Sequence, residues 1–86
     1  MEKSNEAIAA RLRATREALG LSQSDLCKQS GIARNTYNQF ESGVRRPSID
    51  AAIKLCESIT VTLDWIYRGV PDGLPHGLAT KIRGVR

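Results

Sequence analysis

The sequence predicts an all-α fold, a compact bundle of five short helices. In several segments apolar residues recur at spacings of three and four, the period of an amphipathic helix, and no segment alternates in the manner of a β-strand. Capping residues and glycines bound these segments. At 86 residues the chain suffices for one small domain, whose short helices must be held together by packing.

The first helix is expected over residues 5–19, between polar capping residues and a glycine. Ser4 or Asn5 can accept a backbone N–H group at its start, and Gly20 can end it. A narrow stripe at helical spacing should face the core, and it consists of Ile8, Leu12, Thr15 and Leu19.

The second and third helices are expected to be joined by a tight turn. Ser22 and Asp25 form a capping-box-like pair at the start of the second helix, which should end near residues 30–31. The third helix is expected over residues 33–41, with Gly43 just beyond it. The residues of the second helix expected to face inward are Leu26 and Cys27.

The fourth helix is expected over residues 49–58. Pro47 cannot continue a helix from before it, and Ser48 can cap the next one. Core spacing is shared by Ile49, Ala52, Ile53, Cys56 and Ile59.

A fifth, short helix and a tail complete the chain. Thr62 can cap this helix and Gly69 can end it; its apolar residues are Leu63, Trp65 and Ile66. Residues 70–86 contain prolines and glycines and are interpreted as a loop with room for one short helical turn. That turn is suggested by apolar residues at every fourth position, namely Leu74, Leu78 and Ile82.

The composition excludes several classes of protein. No apolar run approaches the roughly 18 residues of a membrane span, and the N-terminus lacks the apolar core of a signal peptide, so we expect a cytoplasmic protein without a membrane partner. Cys27 and Cys56 lie far apart without clustered histidines, which favours two reduced thiols over a disulfide or a zinc site. We expect no metal and no cofactor. The net charge of +4 is consistent with a polyanionic partner but does not establish one.

The third helix is unusual in its polar residues, which are Arg34, Asn35, Thr36, Asn38 and Gln39. Carboxamides can bond the edge of adenine, a guanidinium can bond guanine, and a threonine methyl group can contact thymine. With Gly31 in the preceding turn, the second and third helices form a helix-turn-helix whose second helix fits the major groove of DNA. An ordinary solvated helix face is the alternative interpretation of the same residues.

Four short motifs follow one another along the chain: "GLSQ", "FESG", "RRPS" and "LDWIYRG". With them, residues 12–69 resemble the phage repressor and Cro type of helix-turn-helix domain, the XRE family. The resemblance implies a bundle of the lambda-repressor-like type, with residues 1–69 as the DNA-binding domain and residues 70–86 as a C-terminal tail.

The resemblance also implies roles for individual residues. Arg34, Asn35, Asn38 and Gln39 match base-reading positions of the family. Phosphate contacts are expected from Arg16, Ser22, Gln23, Ser24, Ser42, Arg45 and Arg46; those at the start of the second helix also suit an anion physically. Arg16 and Glu41 match a family ion pair. The chain departs from the pattern at Ala33, usually a Ser or Thr cap, and at Tyr37, commonly Ile or Val.

The implied function is that of a sequence-specific transcriptional regulator of double-stranded DNA, a repressor that reads a palindromic operator through the major groove with the third helix. The alternative is an antitoxin-like or adaptor module, with the same fold, whose main partner is another protein. No catalytic constellation is present, so an enzyme is not expected. The source would be bacterial or phage-encoded, and the bound protein would lie on the nucleoid.

A homodimer is expected, at least on DNA, because one reading helix covers only a few base pairs. In the resembling repressors the dimer surface lies near the loop after the third helix and the fifth helix, and the resemblance therefore implies Val44, Trp65, Ile66 and Val70 here. The apolar stripe of the tail adds Leu74, Leu78 and Ile82 to the expected surface. The alternative for the tail is that it folds back on its own domain.

Overall fold

The computed structural model describes residues 4–84, which form six α-helices and no strand. The helices are α1 (Asn5–Ala18), α2 (Gln23–Ser30), α3 (Arg34–Glu41), α4 (Ile49–Ile59), α5 (Leu63–Arg68) and α6 (His76–Gly84). The all-α class is confirmed. The expectation of five helices is one short, because α6 occupies the part of the tail where only a single turn was expected.

The helix ends lie where the capping residues predict them. The side chains of four residues accept a backbone N–H group from the first turn of the helix that follows, namely Ser4, Ser22, Ser48 and Thr62. At the start of α3, Ala33 occupies the capping position and makes no side-chain cap hydrogen bond. The start of α3 must therefore be held by tertiary contacts.

The core is built from the inward faces of all six helices. Its fully buried large side chains include Ile8, Leu26, Tyr37, Phe40, Leu55 and Ile66. Tyr37 therefore fills the core position where the family commonly has a smaller aliphatic residue, and its ring meets that of Phe40 edge to face, 6.1 Å between centroids.

Three apolar residues expected inside the bundle are at the surface. The fractional exposure is 36% for Leu19, 57% for Ile49 and 42% for Ile53. In α4 the inward face consists of Ala52, Leu55 and Ile59, which also recur at helical spacing. Because α4 has apolar residues on more than one face, spacing alone did not identify the face that packs on α2 and α5.

The tail folds back on its own domain. Helix α6 packs against α1 and buries Leu74, Leu78 and Ile82. Trp65 and Ile66 are also buried. These five residues cannot form a dimer surface, which corrects most of the expected one. Of the expected set, Val44 is 72% exposed and Val70 is partly exposed.

Buried polar contacts fix α5 on α1. The Trp65 indole nitrogen Nε1 donates to the Thr15 hydroxyl at 2.9 Å, and this hydroxyl donates to the Arg11 carbonyl at 2.6 Å. The Arg11 guanidinium donates in turn to the carbonyl of Ile66 at 3.1 Å, near the C-terminus of α5. Helix α1 thereby becomes the central support of the bundle, in contact with α3, α5 and α6.

Both cysteines are free, Cys27 buried and Cys56 partly buried. Over residues 4–84, no three or more His, Cys, Asp or Glu side chains meet in a group that could hold a metal. No helix in this range has both the length and the hydrophobicity of a membrane span.

Candidate nucleic-acid interface

Helices α2 and α3 form a helix-turn-helix unit. Gly31 ends α2 with a positive φ of 76°, a left-handed conformation that glycine adopts without steric cost. Ile32 follows and is buried in the core, so the turn is anchored on the inside. Helix α3 then begins at Arg34.

A buried carboxylate, that of Glu41, fixes the orientation of α3. Arg16 of α1 binds it through two hydrogen bonds, from Nε to Oε2 at 2.7 Å and from Nη2 to Oε1 at 3.1 Å. The Tyr37 hydroxyl donates to Oε2 at 2.5 Å and Gln23 Nε2 donates to Oε1 at 3.1 Å. Arg13 Nε lies 3.6 Å from Oε1. The expected pair of Arg16 and Glu41 is thus present within a cluster that joins α1, α2 and α3.

The ionisation of this cluster follows from its hydrogen bonds. Burial by itself would raise the pKa of Glu41, but the hydrogen bonds from Arg16, Tyr37 and Gln23 outweigh it and hold the pKa below its ordinary value. Burial and the bond to Glu41 raise the pKa of the Tyr37 hydroxyl. Glu41 is therefore an anion at neutral pH and Tyr37 is a neutral donor.

The outward face of α3 carries the expected base-reading residues. Tyr37, Phe40 and Glu41 are buried on the opposite face. At 3.6 residues per turn, the exposed Arg34, Asn35 and Asn38 lie side by side with the partly exposed Gln39. Thr36 is also partly exposed but lies at the edge of this group, toward the buried face.

Gln23 connects the start of α2 to the start of α3. Its Nε2 group binds Glu41, and its Oε1 atom accepts a hydrogen bond from Nε of Arg34 at 3.4 Å. Gln23, Arg34, Asn35 and Asn38 together line an open concave surface. Gln23, which is expected to bind phosphate, therefore lies next to the residues of α3 that are expected to contact bases.

The first turn of α2 offers fewer free donors than its position suggests. Its capping box joins the backbone N–H of Ser22 to the Asp25 carboxylate at 3.2 Å and the backbone N–H of Asp25 to the Ser22 hydroxyl at 3.0 Å. The backbone N–H groups of Gln23 and Ser24 have no partner among residues 4–84. These two remain available to an anion, together with the proton of the Ser22 hydroxyl.

The loop between α3 and α4 brings further polar groups to the same side. The Ser42 hydroxyl donates to the carbonyl of Gln39 at 3.2 Å, and Arg45 Nη1 donates to Gln39 Oε1 at 3.3 Å. Arg46 Nε donates to Oδ1 of Asn5 at 3.2 Å. The loop is therefore bonded to α3 at one arginine and to the start of α1 at the next.

Sequence reasoning missed two members of this surface, Arg13 and Asn5. Arg13 is 58% exposed at its side chain and lies within ion-pair distance of Glu41. Its position three residues before Arg16 puts the two guanidinium groups on neighbouring parts of one helix face, and that spacing was the available signal. The contact between Asn5 and Arg46 spans 41 residues and has no local signal.

Comparison with known proteins agrees with this geometry. A protein of Methanocaldococcus jannaschii, provisionally named an HTH-type transcriptional regulatory protein, is 35% identical to the chain over 52 residues. The match covers 60% of this chain and 16% of that protein, so the chain spans a small part of its relative's length. No solved structure gives a significant match.

The family model described as Helix-turn-helix matches residues 12–66. The match contains α2, α3 and α4 in full and confirms both the resemblance read from the motifs and the expectation that the chain is not an enzyme. The chain belongs to this helix-turn-helix family.

Proposed function

We propose that the chain is a sequence-specific transcriptional repressor that reads double-stranded DNA through the major groove with α3. The observation that carries the proposal is the division of α3 into two faces. One face is held in the core through Tyr37, Phe40 and the bonded Glu41, and the other presents Arg34, Asn35 and Asn38 to the exterior. A rigidly held helix with side chains that match base edges suits direct readout of sequence.

The groups around α3 support the same binding mode. The free N–H groups of Gln23 and Ser24 lie beside the concave surface that Arg34 and Asn35 help to line. In protein–DNA complexes such groups bind phosphates and set the register of the reading helix, whereas side chains at base edges supply specificity. Arg45 and Arg46, in the loop that follows the C-terminal end of α3, would add further phosphate contacts. The partial match to a transcriptional regulatory protein also favours this function.

We place two copies of the chain on a palindromic operator. Because the tail is buried, we propose that the pairing surface is formed by apolar residues that remain outside the core: Val44 of the loop after α3, and Ile49 and Ile53 on the outward face of α4. Ile49 and Ile53 lie one turn apart, so they present a continuous apolar strip. Exposed apolar side chains that are close together favour a contact with another protein surface.

Selection of bound sequences from random double-stranded DNA, at several salt concentrations, tests the proposal. We expect enrichment of a two-fold symmetric sequence by the wild-type chain and loss of that enrichment by the double variant Asn35→Ala, Asn38→Ala. A control variant, Lys54→Ala, removes an exposed charge from α4 and should enrich the same sequence. Enrichment of no sequence would contradict the proposal and favour the protein-interaction alternative. A reporter with the enriched sequence over its promoter distinguishes repression from activation.

A further inference from the structure

The three carboxamides on the outward face of α3 are not equivalent. The side chains of Asn35 and Asn38 make no hydrogen bond to any residue within 4–84. The Gln39 side chain is bonded through its oxygen, Oε1, which accepts from Arg45 Nη1 at 3.3 Å. Gln39 is therefore the one carboxamide of the three whose orientation the protein itself sets.

Arg45 is well placed to set it, because its own backbone is tied to the same residue. The Arg45 backbone N–H donates to the carbonyl of Gln39 at 3.2 Å, and the Ser42 hydroxyl donates to that carbonyl at 3.2 Å. These two hydrogen bonds to the Gln39 backbone carbonyl hold the loop beside this residue. They do not depend on the bond between the Arg45 guanidinium and the Gln39 side chain. The side-chain bond leaves both amide protons of Gln39 available.

A glutamine whose oxygen is already bonded to a guanidinium presents mainly its two amide donors, and it therefore favours a different base from a free glutamine. Free carboxamides suit adenine, since they accept from its N6 amino group and donate to N7. Guanine presents two acceptors, O6 and N7, at the same edge. An adenine amino group near Gln39 would meet an oxygen already bonded to a cation, with the N–H donors of Arg45 beside it.

We propose that Arg45 is a specificity-determining residue that positions the Gln39 carboxamide to read guanine rather than adenine. This inference rests on the proposed function, because it assumes that α3 reads base edges. It adds to the role of Arg45 as a phosphate contact, since a guanidinium that uses one N–H group for Gln39 has others for phosphate.

The test is a set of competition binding measurements on the enriched operator. The base pair read by Gln39 is first identified as the one at which Gln39→Ala loses discrimination. At that pair the wild-type chain should prefer guanine to adenine by about tenfold. Arg45→Ala should bring this ratio close to one, and Arg45→Lys should retain much of it because an ammonium group can also donate to Oε1.

The neighbouring arginine supplies the matched control. Arg46→Ala removes the same charge from the same loop, but its Nε atom bonds Asn5 and not α3. We expect Arg46→Ala to weaken binding to all sequences alike. The slope of the logarithm of the binding constant against the logarithm of the salt concentration should become shallower by about one unit, and the guanine-to-adenine ratio should not change.

Several results would overturn the inference while the proposed function stands: a uniform loss of affinity in Arg45→Ala, a wild-type preference for adenine, or no change of base preference in Gln39→Ala. If the wild-type chain enriches no sequence at all, the proposed function and the inference fall together.

Discussion

Glu41 is a buried carboxylate whose charge is matched by donors from three helices. Its side chain is 1% exposed, and that of Arg16 is 13% exposed. Burying an ion without partners costs several kcal/mol, so the cluster stabilises the fold only while every donor is in place. The hydrogen bonds that satisfy Glu41 also fix α3 to α1 and α2, and no side-chain cap assists at Ala33.

The contacts of Glu41 show how far the sequence could predict the site. The pair with Arg16 followed from matching motif positions. The bond from the Tyr37 hydroxyl to Glu41 was not predicted, because the departure from the family pattern at Tyr37 did not show which group its hydroxyl would contact. Arg13 was missed although its spacing from Arg16 was a signal, because spacing along α1 does not show which guanidinium groups lie near a carboxylate of α3.

We predict that Glu41→Gln lowers the free energy of unfolding by about 3 kcal/mol at pH 7, because it leaves the largely buried guanidinium of Arg16 without its counter-charge. Thermal or urea unfolding measures this loss. Asp64→Asn is a control, since its ion pair with Arg68 is an exposed one at 3.2 Å and should contribute little. If Glu41→Gln were as stable as the wild-type chain, the cluster around Glu41 would not be what holds α3 in place.

The difference in stability between the wild-type chain and Glu41→Gln should depend on pH. The folded-state pKa of Glu41 lies below its unfolded value, ordinarily about 4.3, so the unfolded chain binds a proton first as the pH falls. The contribution of Glu41 is therefore complete above that value and is lost as the pH falls through the folded pKa. We expect the difference in stability between the wild-type chain and Glu41→Gln to shrink in this acidic range. A difference independent of pH from 7 to 3 would contradict it.

Substitution of Asn35 tests base recognition separately from the stability of the fold. Its side chain is exposed and makes no hydrogen bond within residues 4–84, so Asn35→Ala should leave the melting temperature unchanged. It should cost about 1–3 kcal/mol of discrimination at one base pair, measured with operators that differ at single positions. Gln29→Ala, which removes an exposed carboxamide from the far end of α2, should cost nothing. If both variants keep the wild-type sequence preference, Asn35 is not a base reader.

At the scale of elements, helix boundaries were predictable and helix faces were less so. The four side-chain caps, at Ser4, Ser22, Ser48 and Thr62, act within a few residues of sequence and could be read directly. The face of α4 and the existence of α6 depend on partners far along the chain. The stripe of α6 was visible, but its spacing could not show whether α1 or a second copy covers it.

We predict that Leu78→Ala destabilises the domain by about 2–3 kcal/mol, because it removes a buried leucine from the contact between α6 and α1. Chemical unfolding of the variant checks the value. Lys81→Ala lies on the exposed side of α6 and should have little effect. A Leu78→Ala variant as stable as the wild-type chain would mean that α6 does not pack on α1 in solution.

At the scale of the molecule, size and surface together favour paired binding. The principal dimensions are 29 × 24 × 21 Å. Half-sites of a palindromic operator lie one helical turn apart, about 34 Å. Two copies at that spacing would be neighbours on one side of the DNA, and the exposed apolar residues of α4 and of the preceding loop are available for contact between them.

We therefore predict two chains per operator at saturation, measured by light scattering or sedimentation of the complex. Moving the half-sites apart by half a turn should abolish the cooperative gain, because the second copy would then face the opposite side of the helix. Val44→Asn should reduce the same gain by placing a polar group on an exposed apolar position, and because it is uncharged it should leave binding to an isolated half-site nearly unchanged. One chain per operator at saturation would refute pairing on DNA, whereas two chains with full cooperativity in Val44→Asn would mean that the contact lies away from this loop.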